Sequence, residues 1–227
     1  MGDANSSLVD TRIARTEAPA AAKQLYRRLL HDGVILPQLR NDIPHCLGRA
    51  FPVRDDHSGF AALFGWNVDH RPLPHERITG IKIEVTDWYW YTEPNEEPQL
   101  LPAPPAERHY GLFLNYDGGF NVNCPHCARA IERGDNEGSP LDVALKQWCL
   151  DPEHTFLHCN ACSLDSALPD WRSDAHGFAA GHLGMTLWGG HLLALTERPD
   201  YASAQVLWRL FGGTAMAPAP AIVYCTI

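Results

Sequence analysis

The chain contains none of the short motifs that announce a common catalytic chemistry: no Gly-x-Ser-x-Gly elbow, P-loop, Rossmann glycine fingerprint or His-Glu-x-x-His. Each of these fixes a nucleophile, a phosphate cradle or a metal pair by its spacing, so their absence lowers the expectation of an enzyme. Long hydrophobic runs are missing too. No apolar stretch approaches the roughly 20 residues that span a bilayer. No N-terminal segment combines a basic start, an apolar run and a small-residue cleavage site. The expected location is the cytoplasm. Positive charge is also in short supply: 18 Lys and Arg stand against 27 Asp and Glu, a formal charge of -9. Such a chain repels phosphate backbones and anionic membrane surfaces, so nonspecific nucleic-acid binding is not expected. Gly2 followed by Ser6 fits the N-myristoylation pattern, but that pattern is too short to carry weight.

What is present is an ordinary globular composition, 227 residues with 45% hydrophobic and 20% charged, enough to bury a full core. We expect a single α+β domain over residues 1–227, a mixed sheet with packing helices, carrying a zinc-binding insertion at about 118–168. Residues 1–12 (MGDANSSLVDTR) are polar and without period, and read as a loose lead-in. A helix follows, with Thr16 as its cap, Pro19 in its first turn, Leu25, Leu29 and Leu30 as its apolar face and Gly33 as its stop. Residues 34–77, rich in proline, support packed loops. Residues 78–92 read as one strand, with Ile81, Ile83 and Val85 alternating with polar residues before the run Trp88, Tyr89, Trp90, Tyr91. Segment 93–107, with five prolines and four glutamates, reads as an exposed connection.

A second strand places Tyr110, Leu112, Leu114 and Tyr116 on one face and ends at Asp117-Gly118-Gly119. Further on, the pattern predicts a helix over Leu141 to Leu150, a strand with Leu183, Met185 and Leu187 on one face, a helix from Tyr201 to Phe211 and a closing strand, AIVYCTI. The last strand-helix-strand unit is long enough for a right-handed crossover between parallel strands.

Seven cysteines without a secretion signal, four of them in two Cys-x-x-Cys pairs, favour metal over disulfides. Cys124 and Cys127 lie in FNVNCPHCARAI; Cys159 and Cys162 lie in HTFLHCNACSLDSA. Two turn tips facing each other supply four soft thiolates to a tetrahedral zinc, and a site closed by four cysteines leaves no position for a reacting water, so the expected role is structural. His126, His154 and His158 lie near enough in sequence to replace one cysteine. Cys46, Cys149 and Cys225 read as small core residues. The first segment, with Val122 two residues before Cys124 and Pro125 after it, resembles the knuckle of zinc-ribbon modules. That resemblance covers about residues 118–168 and implies a zinc-held module used for protein contacts, nucleic-acid contacts or stapling. The gap of 31 residues between Cys127 and Cys159 exceeds the usual spacing of about 15 to 20, so a helix must stand between the knuckles.

Other candidates carry less. His176, His182 and His191, with Asp174, have no recurring ligand spacing, and ordinary hydrogen-bonded histidines account for them better than a second metal or acid–base cluster. The aromatic run 88–91 is bordered by Asp87 and Glu93 instead of the basic residues a base-stacking platform needs, which favours core packing. Arg129, Arg133 and Lys146 are diluted by Glu132, Asp135 and Glu137. The leading expectation is a non-enzymatic, cytoplasmic, acidic protein-binding protein with a basic partner; an immunity protein neutralising a bacterial toxin fits that description. A metal-dependent hydrolase using the C-terminal histidines and a zinc-ribbon nucleic-acid adaptor are the alternatives.

Overall fold

Alternating apolar side chains build the central layer of the protein, seen here in a computed structural model that describes residues 4–44, 46–54, 78–94, 96–115, 120–132, 138–173, 176–189 and 221–226. Strand β1 (Ala4–Asp10) is followed by helix α1 (Ala18–His31), then β2 (Phe51–Pro52), β3 (Gly80–Val85), β4 (Trp88–Tyr91) and β5 (Gln99–Pro102). Strands β12 (Leu183–Trp188) and β13 (Ala221–Thr226) complete a seven-stranded sheet of order β13-β1-β12-β3-β4-β5, with β2 also paired to β3. All of its pairings are antiparallel. The fold is α+β.

One face of the sheet is the main core. Leu8, Met185 and Ile83 stand in register across three strands and meet Leu25, Tyr26 and Leu29 of α1. Each fully buried side chain of this size stabilises the fold by about 1.5–3 kcal/mol before entropy is counted. The helix runs as expected, with Pro19 in its first turn and Gly33, at φ 70°, after its end. Its N-cap is Glu17, which makes no side-chain cap hydrogen bond, so Thr16 does not serve as the cap.

Several expectations are corrected. The N-terminal lead-in is β1, the sheet strand between β12 and β13. The last two strands do run in the same direction, both antiparallel to β1, but β1 separates them. Residues 78–92 form a hairpin and not one strand: Val85 pairs with Trp88 across a two-residue loop. Asp87 takes a positive φ of 63° there, and its carboxylate accepts from Arg15 Nε at 2.8 Å and lies 3.3 Å from Arg108. The Pro/Glu segment contains β5, an edge strand among the described residues, whose Leu100 is buried against Trp90 and which ends at Pro102. The expected helix 201–211 lies outside the described residues.

Between β5 and β12 the chain leaves the sheet and builds a second layer. Strand β6 (Leu112–Leu114) pairs with β11 (Phe178–Ala180) as a two-stranded ribbon. Both its faces are apolar: Phe113 and Ala179 pack on Val9 and Val223 of the sheet, while Phe178 and Ala180, with Leu112 and Leu114, face a separate core. The sequence reading gave β6 a single apolar face, with Phe113 outside it; Tyr110 is 41% exposed. Approach of the ribbon depends on Gly184, where a Cβ would stand 2.2 Å from Phe113 Cζ.

Candidate metal centre

The second core is organised by Trp148 and Trp171, both fully buried, with Val122, Leu141, Leu145, Leu157 and Leu168 around them. Two hairpins, a helix and the turn after the second hairpin, Leu168–Asp170 with Trp171, supply these residues. Hairpin β7 (Asn121–Asn123) to β8 (Ala130–Glu132) carries the first cysteine pair, and hairpin β9 (Phe156–Cys159) to β10 (Leu164–Ala167) carries the second. Helix α2 (Pro140–Leu150) stands between them, as the long gap between the pairs requires. Its start is fixed by Ser139, whose side chain accepts from the Asp142 backbone N–H and donates to the Asp142 carboxylate at 2.8 Å.

The two knuckles repeat one backbone solution. In the first, the Ala128 N–H donates to the Cys124 carbonyl at 2.9 Å; in the second, the Ser163 N–H donates to the Cys159 carbonyl at 2.7 Å. The residue after each second cysteine turns left-handed, Ala128 at φ 57° and Ser163 at φ 58°. Neither is glycine, so each knuckle holds a strained residue, costing on the order of 1 kcal/mol. The His126 N–H also points at Cys124 Sγ, 3.4 Å away.

These turns bring the four sulfurs of Cys124, Cys127, Cys159 and Cys162 within 4.8 Å of one another. Cys124 and Cys162 are 3.7 Å apart, Cys127 and Cys159 3.6 Å. A disulfide would need about 2.0 Å. A tetrahedral ion with metal–sulfur bonds near 2.3 Å sets its ligands about 3.8 Å apart, so the donor set fits such an ion in chemistry and in size. The charges fit as well. The N–H groups of Cys162 and Ala161 pull the Cys159 thiol down to about 6, while burial pushes Cys162 up to about 12. Four adjacent thiols do not all ionise unaided, and a divalent cation makes four thiolates compatible. Cys124 and Cys159 are buried, Cys162 is half-buried and Cys127 exposed.

The nearby histidines stand apart from this set. His154 Nδ1 lies 3.0 Å from the Asp151 carboxylate and His158 Nδ1 2.9 Å from Asp165, both at the surface. His176 occupies a left-handed turn at φ 52°. Asp174, His191, Arg133, Asp135 and Glu137 lie outside the described residues. Among the described residues, the four cysteines are the one group of three or more His, Cys, Asp or Glu side chains gathered closely enough to share an ion. Trp90 of the aromatic run is a core residue whose indole N–H donates to the Ile83 carbonyl at 3.0 Å. Arg129 and Lys146 are exposed.

Two features escaped the sequence. The first is the seat of the module on the sheet. His182, just before β12 and 9% exposed, stacks on Trp148 with centroids 5.2 Å apart, and its Nδ1 lies 3.2 Å from Thr86 Oγ1. Burial lowers the His182 pKa, Arg15 adding to the shift and Glu153 and Asp87 opposing it. An unfolded chain takes up a proton there as pH falls through about 6.5, and the folded protein resists. The unfolded state then binds more protons, so stability is full above that pH and falls as pH drops below it, by up to about 1.4 kcal/mol per pH unit, until the folded imidazole itself protonates. Urea unfolding at about pH 7.5 and about pH 6 should show this loss in the native protein and less of it in His182→Phe; an unchanged pH slope in the variant would assign the loss to other groups.

The second is a polar ladder on the sheet face opposite α1. Ser7 Oγ and Thr186 Oγ1 are 2.7 Å apart, and Thr186 donates to the Glu84 carboxylate. Lys82 lies 3.9 Å and His109 Nε2 3.8 Å from that carboxylate. The Gly111 N–H donates to His109 Nδ1, so the neutral ring carries its proton on Nε2, facing Glu84. Burial lowers the His109 pKa, Glu84 opposing and Lys82 reinforcing the shift.

No family model, curated protein or solved structure matches this chain. Fold and site together define an α+β protein with a four-cysteine, metal-competent centre. Among the described residues no helix is long and apolar enough to cross a membrane.

Proposed function

We propose that the four cysteines hold a structural zinc ion and that the module they staple, read from the sequence as an insertion at about 118–168, is the protein-binding part of a non-enzymatic cytoplasmic protein. The observation that carries this reading is the closed donor set: four sulfurs at tetrahedral spacing leave no ligand position for a substrate or a reacting water. When bound, zinc supplies metal–sulfur bonds that fix the two knuckles against each other.

The surface of the module supports a binding role. Leu150 is 82% exposed, Phe156 58% and Val143 56%. Val143 and Leu150 are seven residues apart on α2 and share one of its faces, with exposed Lys146 and Gln147 between them. Large exposed apolar groups beside polar ones are typical of interaction surfaces. With a net charge of -9, the favoured partner is basic, and a toxic nuclease with a cationic groove is such a partner, which makes the protein an immunity protein. Histidine-based hydrolysis has weaker support, because His182 is committed to the Trp148 stack.

Purification from native cells at low salt, with elemental analysis, tests the reading. One zinc per chain and a stoichiometric basic protein partner, released by Leu150→Asp with Phe156→Asp, are expected. A chain that emerges alone at every salt concentration would remove the binding role, and a preparation with no bound zinc would remove the structural centre.

A further inference from the structure

Outside the cysteine module, a cleft of about 460 Å³ opens between α1 and the β4–β5 hairpin. This volume falls in the range of small-molecule sites. One wall is a single stripe of α1, Lys23, Tyr26, Arg27 and Leu30, spaced to share a face. Trp90 and Leu100 contribute apolar surface, and Glu97, Pro98 and Gln99 form the opposite side.

One feature of this wall does not serve folding. Lys23 and Arg27 are like charges four residues apart, both exposed, an arrangement that weakens a helix. Among the described residues neither has an ion-pair partner. Tyr26 forms the floor between them, 7% exposed, its ring packed 5.0 Å from Phe51 and 5.1 Å from Trp90.

We infer that this cleft binds a small organic monocarboxylate with an apolar body. The body lies against Trp90, Leu30 and Leu100, and the carboxylate takes the charges of Lys23 and Arg27. The lining carries two positive groups against the single carboxylate of Glu97, which favours a monoanion over a dianion such as phosphate. This site is independent of the zinc centre and of the protein-binding reading.

The test is an NMR titration of the isotope-labelled, zinc-loaded full chain with 1-naphthoate, and separately with its neutral counterpart 1-naphthamide. Saturable shifts are expected at the Trp90 indole N–H and at the backbone amides of residues 23–30 and 97–101, with the amide binding about ten-fold more weakly than the acid. Exchanging both surface cations, Lys23→Gln with Arg27→Gln, should weaken naphthoate by about ten-fold or more and leave naphthamide unchanged. Shifts that map elsewhere, fail to saturate, or respond equally to acid and amide would overturn the assignment, as would a cation variant that binds naphthoate like the native chain.

Discussion

Stripping the metal with a strong chelator is expected to unfold the region from Phe120 to Phe178 while the seven-stranded sheet persists. The two knuckles meet at the sulfurs, and Cys124 and Cys159 are themselves part of the core built on Trp148 and Trp171. Structural zinc contributes about 10–16 kcal/mol of apparent binding energy in small zinc-finger peptides. This module also buries two tryptophans, so a loss of several kcal/mol is the expected outcome, not unfolding of the whole chain. Hydrogen exchange reads it directly: amides of β7, α2 and β9 lose protection on chelation, and those of β3 and β12 keep it. Cys124→Ser should reproduce the pattern and Cys46→Ser should not. Equal protection with and without chelator would sink the assignment of these cysteines as ligands.

The second large effect is expected at Gly184. A methyl group there would meet the Phe113 ring at 2.2 Å, far inside contact distance, and both partners sit in paired strands that cannot swing away. Gly184→Ala should cost about 2–4 kcal/mol, at the upper end of overpacking effects. Phe113→Ala alone should cost about 3–5 kcal/mol, because the side chain is buried between the ribbon and the sheet. Combined, the two changes should cost about 1–3 kcal/mol less than their sum, since the second removes the clash created by the first. Denaturant midpoints for the four proteins of this cycle measure the coupling. Strict additivity would mean that the ribbon does not rest on Gly184.

How much of this was legible depended on where each element keeps its apolar atoms. Strands β3 and β12 were readable because Ile81, Ile83, Val85 and Leu183, Met185, Leu187 alternate with other residues and face a single core. β1 was not, because its buried positions include Asn5, Ser6 and Ser7, and the Ser7 hydroxyl is satisfied by Thr186, a partner that no local pattern reveals. β5 hid behind Pro98 before it and Pro102 at its end, residues that an edge strand tolerates and an interior strand does not. In β6 a one-face reading failed because the ribbon has a core on each side. The candidate centre was the most legible part, since paired Cys-x-x-Cys spacing encodes the knuckle itself. Its seat on the sheet, through His182 on Trp148 and Phe113 on Gly184, joins residues distant in sequence and left no signal.

The place of β1 between β12 and β13 also governs how the protein is made. Ser7 reaches Thr186 across 179 residues of chain, so β1 leaves the ribosome well before either neighbour exists. Helix α1 and the cysteine module can form from local contacts during that interval, but both edges of β1 wait unpaired. Closing the sheet is therefore a late, long-range event, and nascent chains halted before residue 183 should rely on chaperones in a way that finished ones do not.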